Sequence, residues 1–316
     1  MQRRFLLAAL LAAACVLPFV APSYLVFQLT LVIAYALALV GLNLLTGFNG
    51  QISLGHGAFF ALGAYAAAML MEHAGWPYWA TLPAAAVLGG TLGYLFGLPA
   101  LKLDGVYLAL ATFALGVATP QLLKYKGLEA WTGGSQGLVL TKPEAPFGLP
   151  LDADQWLYFF CLIVALGLFA IAHNLLRGGV GLSLLAVRDH PIAAEAMGVD
   201  NARVKTITFG ISALYTSVAG ALSAIAVQFV APDSFSVFLS ITLLVGAVVG
   251  GLASLSGAVY GAVFIQFIPQ FAEQVSKAAP WAVYGAILLA LMLVWPTGVA
   301  GGVARLRSWI HSRSKA

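Results

Sequence analysis

Residues 186–205 read AVRDHPIAAEAMGVDNARVK, a charged and helix-forming stretch near the middle of a chain that is otherwise strongly apolar. The 316 residues are 61% hydrophobic and only 8% charged, and the mean hydropathy is +0.96. This composition is typical of proteins that reside in a lipid bilayer. The charged stretch must therefore lie either inside that bilayer or beside it.

The charges around this stretch exclude a membrane span. Each charged side chain would cost about 2.5 to 3.5 kcal/mol near the centre of a bilayer. Residues 177–205 contain Arg177, Arg188, Asp189, Glu195, Asp200, Arg203 and Lys205. We therefore predict that 177–205 is a loop in the aqueous phase.

Apolar runs long enough to cross a bilayer lie on both sides of this loop. A spanning helix needs about 20 mostly apolar residues. Candidate spans lie at 5–22, 25–45, 53–72, 79–100, 105–123, 156–176, 206–230, 236–252, 257–273 and 280–297. The sequence thus predicts an all-α polytopic membrane protein with about ten transmembrane helices in a single domain, residues 1–316. Glycines spaced four apart, such as Gly89 and Gly93, predict close helix packing.

The basic residues indicate which side of the membrane each loop occupies. Ten spans place both termini on one side, which then carries 11 of the 15 Lys and Arg residues. Because cytoplasmic loops are enriched in Lys and Arg, we predict cytoplasmic termini, with a basic tail at 298–316. The 177–205 loop is then cytoplasmic and the 124–155 loop periplasmic. This bias also explains the net charge of +4 without a nucleic-acid partner.

The first segment, residues 1–24, has a second interpretation. Its two arginines, apolar stretch and small residues also resemble a secretory signal peptide. The apolar run from Phe5 to Val20 is long for a signal, and its removal would leave nine spans. We therefore favour an uncleaved first helix.

Within the cytoplasmic loop, local signals predict a short helix. Asp189 or His190 can cap its start, Pro191 fits its first turn, and Gly198 can end it. An apolar strip on it is formed by Ile192, Ala193, Ala196 and Met197. Two interpretations remain at this point: a connector lying on its own bundle or on lipid headgroups, and a helix that docks to a partner.

Polar side chains cluster at the junction of the second and third predicted spans. The cluster comprises Asn43, Thr46, Asn49, Gln51, Ser53 and His56. Polar groups at membrane depth need partners, so the cluster either stabilises an irregular glycine-rich break or lines a hydrated path for substrate. For His56, we favour a packing role over a role as substrate ligand.

The predicted outer loop contains a second glycine-rich segment, Gly133, Gly134, Ser135 and Gln136. Glycine readily adopts positive φ, so one interpretation is a tight turn. The other is a contact for a periplasmic binding protein, or a cap over the pathway.

No enzyme signature is present in the sequence. The chain lacks the Gly-Lys pair that a phosphate-binding P-loop requires, and its five histidines are scattered without metal-ligand spacing. Cys15 and Cys161 both lie in apolar runs, so neither a metal cluster nor a disulfide framework is expected. Interiors of the predicted spans contain no Asp, Glu, Lys or Arg, which disfavours a self-sufficient ion-coupled carrier.

Three stretches resemble a known family. Residues 41–70, GLNLLTGFNGQISLGHGAFFALGAYAAAML, resemble the signature of LivM-type permeases of branched-chain amino acid ABC importers. WTGGSQGL at 131–138 and KTITFGISALYTSVAGALSA at 205–224 extend the resemblance over most of the chain. The 193–198 segment, with Arg188 before it, resembles the loop of ABC importer permeases that carries the coupling helix. Its residues are Ala193, Ala194, Glu195, Ala196, Met197 and Gly198.

The resemblance implies an inner-membrane subunit that binds no cofactor itself. It implies a heterodimer with a LivH-type permease and two ATPase subunits that use ATP and Mg²⁺. It also implies a periplasmic binding protein that delivers Leu, Ile or Val, and a coupling helix that enters a groove on the ATPase. Alternatives are a related permease for urea or short amides, a secondary carrier, and a membrane scaffold or sensor.

Overall fold

The computed structural model describes residues 12–103, 105–146, 150–277 and 279–313, and nearly all of its regular structure is helical. The helices are α1 (12–20), α2 (Ser23–Leu42), α3 (His56–Glu72), α4 (Tyr78–Ala100), α5 (Val106–Leu123), α6 (Glu129–Thr132), α7 (Ala153–Arg177), α8 (Gly179–Asp189), α9 (Pro191–Ala196), α10 (Asn201–Val227), α11 (Val237–Gly250), α12 (Leu255–Val275), α13 (Pro280–Val294) and α14 (Gly298–Arg313). A π-helical segment, Asn43–Phe48, extends α2, and a 3₁₀ turn, Pro232–Phe235, precedes α11.

Among the described residues, six helices are long and apolar enough to cross a membrane. These are α2 with its π-helical extension, α4, α5, α7, α10 and α12. A seventh span is possible if α13 and the start of α14, which meet at a 43° bend, are counted together. Helix α11 has only 14 residues and α3 has 17, and residues 1–11 of the first predicted span lie outside the described residues. The count of ten spans therefore stays a prediction.

Helix α10 lies at the centre of the bundle and packs against α2, α3 and α4. Glycines make these approaches close. A Cβ at Gly63 would overlap the carbonyl oxygen of Ser217, and one at Gly93 would overlap the side chain of Ala213. Because a larger residue would not fit at these positions, glycine is needed for the close packing of these helices, as the sequence predicted.

The 177–205 segment contains more helix than the sequence predicted. Helix α7 ends before Gly178, where the backbone is extended, and α8 then begins at once. Helix α9 follows after a break at His190, and α10 begins only four residues after Met197, at Asn201. The short helix was predicted from its caps, whereas α8 was missed because the start of the 177–205 segment was assigned to a loop.

Segments on the opposite side of the bundle are joined by a two-stranded antiparallel sheet. Strand β1 (Leu138–Val139) pairs with β2 (Phe229–Val230), with Leu138 opposite Val230. Lys124 at the end of α5 forms a 2.5 Å ion pair with Asp233. The 124–155 loop is therefore anchored to the end of α10.

Candidate functional site

Helix α9 begins and ends at the residues that the capping signals predicted. His190 is the N-cap residue and Pro191 is the first helical residue, where its missing N–H costs nothing. The helix ends before Met197, and Gly198 has a φ of +88°, a conformation that glycine adopts without steric penalty. The amide of Val199 closes the turn by donating to the carbonyl of Ala194 at 3.0 Å. Local sequence alone therefore determines this helix.

One face of α9 is open to solvent. Ile192 and Met197 are each 85% exposed, and Ala193, Glu195 and Ala196 are also exposed. We refer to Ile192, Ala193, Ala196 and Met197 as the α9 face. Apolar side chains this exposed, beside small residues that permit close approach, are typical of a surface that binds a partner.

Ala194 does not belong to the α9 face, although the sequence placed it among the docking residues. Its side chain is only 4% exposed because it faces the chain's own structure rather than solvent. Asn201, which the sequence analysis overlooked, fixes this orientation by donating from Nδ2 to the carbonyl of Pro191 at 2.8 Å. The exposed face of α9 is therefore narrower than the set of residues that the sequence predicted to dock.

Arg188 also lies off the α9 face. Its Nη1 donates to the carbonyl of Gly47 at 2.9 Å, and its Nε donates to Asp189 Oδ1 at 2.8 Å. The second bond lowers the pKa of the Asp189 carboxyl because it stabilises the charged form. Arg188 thus contacts the π-helical segment that follows α2.

The polar cluster is buried, and two of its members, Asn43 and Thr46, bond to backbone groups. Asn43 Nδ2 donates to the carbonyl of Ser254 at 2.8 Å, and its Oδ1 accepts from the amide of Ala253. Thr46 donates to the carbonyl of Gln51 at 3.0 Å. These bonds stabilise the irregular backbone between α2 and α3, so Asn43 lies in a clamp rather than on an open path.

His56 is fully buried between two hydroxyl groups. Its Nδ1 lies 2.9 Å from Ser53 Oγ and its Nε2 lies 2.6 Å from Ser212 Oγ. Ser212 uses its own proton to bond the carbonyl of Gly41, so His56 Nε2–H donates to Ser212 and Nδ1 accepts from Ser53. Both ring nitrogens of His56 therefore have hydrogen-bond partners. The ring of Phe59 packs edge-on against the imidazole, with 6.0 Å between ring centroids, which supports a packing role for His56.

Asn49 and Gln51 differ from the rest of the cluster. Both are buried, at 2% and 7% exposed. Within the described chain, the side-chain Nδ2 and Oδ1 of Asn49 have no hydrogen-bond partner. The side-chain Oε1 of Gln51 also has none. Buried amide groups normally find partners, so these two side chains are the members of the cluster whose hydrogen-bonding atoms are not all used within the described chain.

Three hydroxyl residues that support this segment were not found from the sequence. Besides Ser212, Thr112 Oγ1 accepts from the amide of Leu54, and Ser240 Oγ accepts from the amide of Gly57, each at 2.9 Å. Isolated Ser and Thr residues in distant apolar helices carry no signal that would connect them with residues 53–57.

The second glycine-rich segment forms a tight turn. Gly133 and Gly134 have φ of +71° and +55°, and a Cβ on Gly133 would overlap the carbonyl of Gly137. Ser135 and Gln136 are exposed at its tip. The turn interpretation therefore fits, and the exposed tip leaves room for a contact.

The chain is similar to known proteins over most of its length. The chain matches a family model described as "Branched-chain amino acid transport system / permease component" over residues 24–295. It belongs to this permease family. Two relatives, each named "High-affinity branched-chain amino acid transport system permease protein LivM", come from Escherichia coli K12 and Salmonella typhimurium LT2. Each is 33% identical over 259 residues, which cover 74% of this permease and 60% of the relative.

The permease thus spans about 60% of the length of the curated relatives that it matches. No solved structure matches it. The matched family region includes α9, the buried polar cluster and the glycine-rich turn. Family membership and the apolar helices agree in making this permease a multi-pass membrane protein.

Among the described residues of the permease, no three His, Cys, Asp or Glu side chains lie close enough together to hold a metal ion. His73, for example, bonds the backbone carbonyl of Trp131 at 2.9 Å.

Proposed function

We propose that this permease is the translocation subunit of an inner-membrane ABC importer for the branched-chain amino acids Leu, Ile and Val. The observation that carries the proposal is the α9 face: two large apolar side chains, each 85% exposed, on a short helix between charged residues. Leaving these side chains in water has no structural benefit, whereas a hydrophobic groove on an ATPase would bury them.

In this mechanism, energy enters the permease from outside the chain. The absence of a P-loop sequence supports a division of labour in which two partner ATPases bind ATP and Mg²⁺, and the permease binds neither. Closure of the ATPases displaces α9, and the helix bundle then closes the pathway on one side of the membrane and opens it on the other. A LivH-type permease completes the pathway, and a periplasmic binding protein delivers the amino acid at the side where Ser135 and Gln136 are exposed.

The proposed topology has ten spans, with both termini and the 177–205 segment in the cytoplasm. The concentration of Lys and Arg on that side supports it. The amino acid would pass near Asn49 and Gln51. Amide oxygens can accept from an ammonium group and amide N–H groups can donate to a carboxylate, which suits the two ends of a zwitterion.

The test is the substitution Ala196→Arg on the α9 face. A long charged side chain in place of a methyl group should prevent close docking through steric overlap or desolvation. We expect the ATPase subunits no longer to co-purify and leucine uptake to be lost, while the permease still inserts in the membrane. Ala196→Ser, which keeps a small side chain, should bind ATPases normally.

Ala194→Arg is the matched comparison, two residues away on the buried face. It should reduce the amount of folded permease, whereas Ala196→Arg should not. Normal uptake and normal ATPase binding by Ala196→Arg would show that α9 is only a connector, and the proposed function would lose its main support.

A further inference from the structure

Arg188 joins the cytoplasmic helices to the membrane bundle at one defined point. It is the second-last residue of α8 and lies three positions before Pro191, the first residue of α9. Its guanidinium reaches across 141 residues of sequence to the carbonyl of Gly47. The Nε of the same guanidinium donates to Asp189, so two hydrogen bonds fix the orientation of the Arg188 side chain.

Gly47 belongs to the π-helical segment, and there is no free space around it. A Cβ on Gly47 would overlap the side-chain oxygen of Asn43 and the amide nitrogen of Ala253. Asn43 in turn holds the turn before α12 through its bonds to Ala253 and Ser254. A displacement of Gly47 would therefore be passed to α12 rather than absorbed locally, because close-packed interiors transmit strain.

The aliphatic part of Arg188 contacts the next part of the same segment. Gly50 has a φ of +75°, and a Cβ there would lie 2.8 Å from Arg188 Cγ. Its two neighbours in sequence are Asn49 and Gln51, the buried residues with unpartnered amide atoms. Arg188 is thus in van der Waals reach of the backbone that positions both.

The packing beside α8 is loose. A pocket of about 370 Å³, partly open to the surface, lies among α7, α8, α10 and the π-helical segment, with Leu44, Leu184 and Val204 in its wall. An apolar contact with a gap of this size transmits displacement poorly. The directional bond from Arg188 to Gly47 is better suited to this task.

We infer that Arg188 is a positioning residue that carries the displacement of α9 to residues 43–51, and so couples ATPase closure to the position of Asn49 and Gln51. This inference rests on the proposed function. It assigns Arg188 to transmission inside the permease, whereas the α9 face binds the ATPase.

The experiment measures leucine transported per ATP hydrolysed by the full transporter in proteoliposomes. Arg188→Ala removes a charge-assisted hydrogen bond, and we expect this ratio to fall about tenfold, as the loss of a bond of this kind permits. The ATPases should still co-purify and hydrolyse ATP. Arg188→Lys keeps the positive charge but replaces the forked guanidinium with a single ammonium nitrogen, so its ratio should lie between those of wild type and Arg188→Ala.

A second variant breaks the contact from the opposite side. Gly50→Ala places a methyl group against Arg188 Cγ and should lower the same ratio without changing Arg188 itself. Gly75→Ala is its matched control, because Gly75 also has a positive φ, +63°, but has nothing within 4 Å of the added Cβ.

The outcomes separate this inference from the proposed function. A normal transport ratio in Arg188→Ala and Gly50→Ala would overturn the inference. So would a fall in the amount of folded permease with the ratio per folded molecule unchanged, since Arg188 would then only stabilise the fold. Loss of the ATPases from Arg188→Ala would make Arg188 a docking residue. If wild-type permease bound no ATPase, the proposed function itself would fail.

Discussion

The backbone amide of Ala253 donates a 2.7 Å hydrogen bond to the side-chain oxygen of Asn43, which lies 210 residues earlier in the chain. Asn43 also donates to the carbonyl of Ser254, so a single amide group satisfies a donor and an acceptor of the turn before α12. Asn43 therefore fixes the end of α2 against the start of α12.

Asn43→Asp should destabilise the permease. The new side chain has nearly the same shape but loses the donor and places a carboxylate beside the carbonyl of Ser254, a loss of about 1 to 3 kcal/mol or more. Thermal unfolding in detergent should show a lower midpoint. Asn174→Asp on the exposed side of α7 is the control and should unfold like wild type. An unchanged midpoint for Asn43→Asp would contradict the clamp.

His56→Leu should also lower stability, because it leaves Ser53 and Ser212 without their buried partner, at a cost of about 1 to 3 kcal/mol. The molecules that do fold should keep the wild-type KM for leucine uptake. A raised KM with unchanged stability would instead identify His56 as a substrate ligand.

Gln51→Ala should reduce leucine uptake while the permease is still expressed and still binds ATPases. Because Gln51 Oε1 has no partner among the described residues, its removal breaks no protein hydrogen bond at that atom. Gln121→Ala, at an exposed position on α5, should transport normally. If Gln51→Ala disappears from the membrane, the segment is structural and the substrate path lies elsewhere.

Cysteine labelling should place α9 in the cytoplasm. In a background without Cys15 and Cys161, Ile192→Cys should react with an impermeant maleimide only after the membrane is permeabilised. Ser135→Cys in the glycine-rich turn should react in intact cells. Ala194→Cys should react slowly from either side because Ala194 is buried. Labelling of Ile192→Cys in intact cells would reverse the topology.

Local features of the sequence predicted the helical class of the fold, although not α8. Composition and apolar run length predicted a polytopic helical membrane protein, and His190, Pro191 and Gly198 predicted the bounds of α9. These properties depend on neighbours within a few residues, since helix caps and span lengths are set by local backbone hydrogen bonding. Glycine spacing likewise predicted which helix faces pack closely.

Only the tertiary structure determined which hydrogen-bond partner each polar residue has. Six polar residues between positions 43 and 56 look alike in sequence, yet Asn43 holds Ala253, His56 bonds Ser212, and Asn49 has no partner in the described chain. Arg188 was predicted as the residue before the coupling helix, and the structure shows that its guanidinium donates to the carbonyl of Gly47. Each of these partners lies 141 to 210 residues away, and only the packing of α2, α10 and α12 brings them together. No periodicity within one helix carries that information, because a hydrogen-bond partner is determined by which helices become neighbours.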